Sequence, residues 1–367
     1  MHSEQTRLAV FGATMTGGGA ERVVGNLIQG LAARGLRIDL ILARAEGPNL
    51  EPVLPYVRLF NLNQPRALFA LPGLVRFLRR EKPDILFSFM HFSNILALFA
   101  ARLSGFSGKV VLSEHSIISI ELLQDPTFKS RVTVLLARLL YPAADQIVCV
   151  SSGVAADLVE LVGLDEKKVQ VVYNPVITPE VIEKAALEFE HRWFKPGEPP
   201  VILTVGRLIE SKGFKVLIRA FARLRSKIPA RLLILGEGAQ RSELEALVGE
   251  LSLQDDVELA GFVTNPYPVM RKSSVFALSS RVEGLPTVMV EAMYFGIPIV
   301  ATDCPTGPRE ILQGGRFGVL TPVDDVTALA ESLLLALEGK TPRPSPESWR
   351  PFTSDVVIDQ YLQVMTG

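Results

Sequence analysis

The sequence predicts an α/β protein made of two parallel-sheet halves, and three observations carry that prediction. At 367 residues, with 48% apolar and 21% charged, the chain exceeds one ordinary α/β layer, and two domains of about 170 to 190 residues fit it better. Short, continuously apolar strands alternate with helical patterns, as in a parallel sheet covered on both faces. A polar stretch rich in Glu and Pro, residues 178–200, interrupts that alternation midway.

The opening reads as a strand over 8–11, a loop holding Gly17, Gly18 and Gly19, a helix over 20–33, Gly35 as its stop, and a strand over 38–42. Further strands are expected at 85–87, 110–112, 147–150 and 169–172. Residues 178–200 read as a linker. The alternation then resumes with strands at 201–205 and 232–235, helices at 213–225 and 240–251, and strands near 257, 275 and 299. A Pro-broken stretch, 341–346, precedes a last helical pattern over 356–364. These readings place a first domain at 1–175 and a second at 176–349, with a terminal helix in 350–367 able to pack back on the first. Two Rossmann-like halves facing a central cleft would bind ligands at the carboxyl ends of their strands.

The formal net charge of −1 gives no basic field of the kind nucleic-acid binding needs. The two cysteines, Cys149 and Cys304, stand alone in apolar runs, away from metal or redox spacing, which fits a reduced compartment. Residues 1–7 are polar and lead straight into a strand, unlike a secretory leader. No apolar run reaches the roughly 18 to 20 residues of a spanning helix, although mean hydropathy is +0.28. The expected location is cytoplasmic.

The glycine loop is neither a phosphate-binding Walker loop nor a dinucleotide fingerprint, since Gly18 and Gly19 stand where Lys and Ser or Thr are needed, and 12–15 lacks GxGxxG. Its glycines at a helix start can hold an anion, let a sugar approach, or simply serve a turn. In 279–293, Glu283 and Glu291 lie eight positions apart. Pro286 suits a first helical position. Gly284, Leu285, Pro286, Thr287 and Val288 would then form a helix amino terminus suited to a diphosphate, with a carboxylate on either side. Arg207 and Lys212 follow another strand and could neutralise a diphosphate without a metal, there being no Asp-x-Asp motif; pairing of Lys212 with Glu210 is the alternative. His115 sits at a strand end, His91 follows Phe89-Met90, and His2 and His191 have no supporting context.

Together these segments resemble the glycosyltransferase 4 family, which has the two-domain GT-B fold. The match runs in order through 17–21, 150–153, 173–175, 206–208, 212–213, 235–238, 261–262 and the Glu283 to Glu291 stretch. The segment 304–311 resembles bacterial enzymes that extend sugars carried on polyprenyl diphosphate. The resemblance implies a retaining hexosyltransferase using a nucleotide diphosphate sugar, UDP-linked, to move a hexose or N-acetylhexosamine onto a lipid-linked or glycan acceptor, in surface polysaccharide or glycoconjugate synthesis, with no cofactor and no metal. It assigns Arg207 and Lys212 to the donor diphosphate, Glu283 to sugar hydroxyls, Glu291 to the ribose and His115 to the active site, with the glycine loop facing the reaction centre. Retention would proceed by same-face attack, or by double displacement with Glu21 or Glu114 as nucleophile.

Three other readings share parts of this pattern. A GT-B sugar-nucleotide epimerase would act on the donor alone, a non-catalytic nucleotide-sugar-binding subunit would lose the charged donor residues, and a nicotinamide dehydrogenase lacks its fingerprint. Residues 1–175 carry a net charge of +3 and 176–367 one of −4. Within 66–82, Arg66, Arg76, Arg79, Arg80 and Lys82 surround apolar residues, and 129–138 repeats the pattern. This suits peripheral contact with the inner face of a membrane, or equally a helix packed on a sheet with its arginines in water.

Overall fold

The protein is described here by a computed structural model covering residues 5–16, 18–120 and 128–367. The chain divides into two compact units, residues 1–176 with 354–367, and residues 177–353.

The first unit holds a seven-stranded sheet of β1 (Arg7–Gly12), β2 (Arg37–Leu42), β3 (Val57–Asn61), β4 (Ile85–Phe89), β5 (Lys109–Glu114), β6 (Gln146–Cys149) and β7 (Val169–Val171). Its order is β3-β2-β1-β4-β5-β6-β7 and every pairing is parallel. Among the described residues its α-helices up to residue 176 are α1 (Gly19–Ala33), α2 (Leu71–Glu81), α3 (His91–Ser104), α4 (Phe128–Leu140) and α5 (Ser152–Val162). Strands β1, β2, β4 and β5 are almost wholly buried, which is why they read as continuous apolar runs. Strand β3 escaped the sequence reading because it is a half-exposed edge strand. It is anchored by Arg58, which with Arg7 holds the fully buried Asp39 at 2.8 and 2.7 Å.

The second unit holds β8 (Val201–Val205), β9 (Arg231–Leu235), β10 (Val257–Gly261), β11 (Val275–Leu278), β12 (Ile299–Thr302) and β13 (Val319–Thr321) in the order β10-β9-β8-β11-β12-β13, again all parallel. Its helices are α6 (Pro179–Ala185), α7 (Phe214–Arg225), α8 (Arg241–Glu250), α9 (Tyr267–Lys272), α10 (Thr287–Tyr294), α11 (Pro308–Ile311), α12 (Val326–Leu337) and α13 (Pro346–Trp349). The segment expected to be a linker belongs to this unit. Thr178 caps α6 by accepting from the Val181 amide, Val181 and Ala185 pack with Tyr267, and Trp193 is 4% exposed. His191 is structural there, accepting from the Trp193 amide and meeting Glu258 at 3.2 Å. A polar composition concealed a few well-placed apolar anchors.

The last helix, α14 (Ser354–Thr366), belongs to the first unit and buries Val357, Ile358, Tyr361, Val364 and Met365. It lies close against α1 at Gly30, where a Cβ would stand 2.4 Å from Ile358 Cγ1, and Tyr361 meets the Phe87 ring edge-on.

Candidate functional site

In an open parallel sheet, ligands gather where the strand order reverses, because the loops leaving the two strands there diverge and leave a crevice. That point falls between β1 and β4 in the first unit and between β8 and β11 in the second. The glycine loop, His91, Arg207, Lys212 and Glu283 follow these strands, whereas His115 follows β5, the neighbour of β4.

In the second unit the loop after β8 carries Arg207 and Lys212, and the loop after β11 carries Glu283. They interlock through their backbones. The Arg281 amide donates to Ser211 O at 2.8 Å and Ser279 Oγ to Lys212 O at 2.8 Å. Gly213, at φ +65°, lies so close that a Cβ would stand 2.0 Å from Ser279 O. Gly236, at φ +149°, allows the same approach to Gly206 O. Larger residues at either place would push these loops apart.

This interlock brings two of the predicted site residues into contact. Lys212 Nζ lies 2.6 Å from Glu283 Oε1, and Ser280 Oγ donates to the same oxygen at 2.6 Å. Glu283 is 9% exposed and Ser280 1%, so this carboxylate is charge-paired and largely shielded from water. Thr306 Oγ1 donates to the carbonyl oxygen of Glu283. The alternative pairing of Lys212 with Glu210 does not form: Glu210 is taken by Arg281 and Lys215. Arg281 also grips Asp324 at 2.8 and 3.0 Å.

Glu283 lies on the loop before α10; Gly284 and Leu285 lead to Pro286, and Thr287 and Val288 begin the first turn. Pro286 caps this helix rather than opening it. Its ψ of 92° is extended, and its ring rests on Gly307, where a Cβ would stand 2.6 Å from Pro286 Cδ. Glu291 falls in the second turn, as expected, and is 1% exposed. Arg207 is exposed, and among the described residues its side chain forms no ion pair. The second unit thus presents a free guanidinium, a paired lysine and a helix amino terminus on adjoining loops, an arrangement able to receive a diphosphate.

The sequence matches the Glycosyltransferase Family 4 domain over residues 17–179 and the domain described as glycosyl transferases group 1 over residues 187–352. It is 32% identical over 348 residues, 90% of each chain, to an N-acetylgalactosamine-N,N'-diacetylbacillosaminyl-diphospho-undecaprenol 4-alpha-N-acetylgalactosaminyltransferase of Campylobacter jejuni. The chain belongs to glycosyltransferase family 4. It is also 27% identical to the lipopolysaccharide core biosynthesis glycosyltransferase LpsE of Rhizobium meliloti, over 95% of this chain and 96% of that one. Among solved structures, Anabaena HepE in complex with UDP and glucose superposes with a TM-score of 0.75 at 19% identity, over 99% of this chain and 100% of that one. The lipopolysaccharide outer core galactosyltransferase WaaB does so with 0.73 at 22%, over 98% and 99%. The fold is therefore GT-B and the activity that of a glycosyltransferase.

In the first unit of this glycosyltransferase, the loop after β1 holds the glycines. Gly17 lies outside the described residues. Gly18 and Gly19 open α1, and a Cβ on Gly18 would stand 2.2 Å from the Glu21 carboxylate, whereas one on Gly19 would meet nothing within 4 Å. A carboxylate in the first turn already answers the helix dipole, so close approach of a neutral sugar suits this loop better than an anion. At the end of β5, His115 Nε2 lies 3.0 Å from Ser113 Oγ, and burial pushes its pKa down to about 4, leaving the ring neutral at pH 7.

Glu114 points away from this position and is corrected as a candidate nucleophile. It is fully buried, accepting from the Tyr141 hydroxyl and, at 2.8 Å, from Asn94 Nδ2. Strand alternation sends it to the opposite face from Ser113 and His115. Glu21 is only half-buried. His91 opens α3 just after Met90, a non-glycine residue at φ +70°, ψ 133° whose amide donates to Ser113 O. Such backbone strain clusters at functional sites. Sequence reasoning missed Met90, Ser280, Arg281 and Thr306, since neither left-handed backbone nor a long-range side-chain partner leaves a mark in residue spacing.

Proposed function

We propose that this glycosyltransferase is a retaining enzyme that moves a hexose or N-acetylhexosamine from a UDP-linked donor to a glycan carried on polyprenyl diphosphate. The observation that carries the reading is the junction of Arg207, Lys212 and Glu283 with the amino terminus of α10, at the strand-order reversal of the second unit. Arg207, Lys212 and the helix amides take the diphosphate and the charge that grows on it as the sugar leaves. Glu283 accepts from sugar hydroxyls, Glu291 is read as the ribose partner, and neutral His115 as a hydrogen-bonding group toward the sugar. The anomeric carbon loses its bond to the phosphate oxygen and gains one to the acceptor oxygen on the same face, and the acceptor proton passes to the departing phosphate. The cationic side chains serve this step in place of a metal.

The acceptor class is supported by two Campylobacter jejuni relatives, 32% and 28% identical, whose names specify undecaprenol-linked acceptors and N-acetylgalactosaminyl transfer. Others, from Rhizobium meliloti and Erwinia amylovora, are named for lipopolysaccharide core and amylovoran synthesis. UDP is supported by the HepE complexes with UDP and UDP-glucose. A membrane-facing surface is supported by the first unit. Among the described residues no helix is long and apolar enough to cross a membrane, but α3 packs between α2 and α4. Leu71, Pro72, Val75 and Leu103 line a groove of about 690 Å³ together with Arg76, Arg79 and Arg80. Leu68, Phe69, Leu135 and Leu139 are more than half exposed. The sequences of α3 and α4 contain no acidic residue, and the one acid of α2, Glu81, is bound by Arg7 and Arg58. A surface both apolar and basic suits anionic lipid.

Mass spectrometry of donor consumption, across a panel of nucleotide sugars with and without polyprenyl-linked acceptors, tests the reading. A glycosylated lipid formed only from a UDP-sugar is expected. Donor isomerisation without acceptor, or transfer only to soluble acceptors, would overturn it.

A further inference from the structure

We propose that the Lys212–Glu283 ion pair is a latch that the sugar nucleotide opens and replaces, whereas the bare nucleotide diphosphate opens it without replacement, so that the site favours donor over spent product. This rests on the donor reading given above. A phosphate oxygen that takes Lys212 must draw its ammonium from Glu283 Oε1, 2.6 Å away. Glu283 is 9% exposed, so water only partly restores what it loses, and among the described residues Ser280 Oγ is then the sole side-chain donor left on that carboxylate. An incoming sugar supplies hydroxyl donors to the freed carboxylate. A nucleoside diphosphate supplies none.

The loops cannot relieve this by shifting together. Lys212 O is tied to Ser279 Oγ, the Arg281 amide to Ser211 O, and a Cβ on Gly213 would stand 2.0 Å from Ser279 O. The Arg281 side chain ties the same two loops through Glu210 and reaches Asp324, just after β13. The exchange is therefore confined to the side chains of Lys212 and Glu283. After transfer the sugar is gone, Glu283 draws Lys212 back, and the diphosphate loses a cation. Donor recognition and product expulsion thus use one pair of side chains with opposite signs.

The test is equilibrium binding of two probes that lack sugar, UDP and inorganic diphosphate, to the full chain and its variants. Glu283→Gln keeps the shape and the Ser280 contact but no longer holds Lys212 by charge. It should bind both probes more tightly than wild type, by about three- to thirtyfold for a partly shielded charge pair, while kcat/KM for the sugar donor falls. Glu283→Asp, whose shorter arm withdraws the carboxylate from Lys212, should shift the probes the same way, and thermal melts confirm that both variants fold. If both bind the probes no better than wild type while Lys212→Ala binds them more weakly, the latch is refuted and the donor site stands. If Lys212→Ala changes neither probe, the donor-site reading itself fails.

Discussion

The depressed pKa of His115 makes a prediction whose size follows from the structure. Burial lowers it from an ordinary 6.5 to about 4, so between those values the unfolded chain takes up a proton that the folded first unit refuses. Stability from this group is therefore intact above pH 6.5 and is lost as pH falls toward 4. A gap of about 2.5 pH units at 1.36 kcal/mol each corresponds to about 3 kcal/mol. His115→Asn, which retains a hydrogen-bonding side chain near Ser113 but does not titrate, should lack this component. Urea unfolding at pH 7, 6, 5 and 4 should show wild type losing up to about 3 kcal/mol more than the variant over that range. The His115 imidazole proton resonances, identified by their loss in the variant, should meanwhile show no titration step near pH 6.5. A His115 imidazole titrating near 6.5, or identical pH dependence in the two proteins, would show that the ring is solvated, and the assignment of His115 as a neutral donor-side group would lose its physical basis.

Other consequences are more direct. Arg207→Ala and Lys212→Ala should each weaken donor use by about ten- to a hundredfold, the value of a charge-assisted contact. Only Lys212→Ala should also lower the melting temperature, because it strips the cation from shielded Glu283; equal melting losses would contradict the pairing. Turnover is expected to survive EDTA, and abolition with rescue by manganese would reverse the leaving-group chemistry proposed above. Wild type should co-sediment with anionic vesicles at low salt, with binding lost when Arg76, Arg79 and Arg80 become glutamate, each charge contributing up to about 1 kcal/mol near the surface. Binding that persists in that variant would move the lipid contact elsewhere.

The doubly wound fold was legible because a parallel strand buried on both faces has no room for polar residues. The strands at 85–89 and 231–235 announce themselves that way, whereas β3 is half-exposed and β13 has only three residues, two of them half-buried. Which residues lie at strand ends was legible too, and it placed Arg207, Lys212, Glu283 and His115 correctly on their loops. Their partners were not. The side-chain partner that the sequence offered Lys212, as the alternative to a ligand, is Glu210, two residues away, yet Lys212 pairs with Glu283, 71 residues on. The cause is topological: β8 is flanked by β9 and β11, so the loop after β8 meets the loop after β11 although two further strands intervene in sequence. Pairing is decided by strand order, which spacing does not encode, and it is the same reversal of strand order that opens a crevice for a ligand. The feature that hid the Lys212–Glu283 pair from the sequence is thus the one that makes it a candidate for function. An ion pair between sequence neighbours on an exposed turn would contribute little and touch nothing else, whereas one spanning the reversal can be displaced only by whatever enters there.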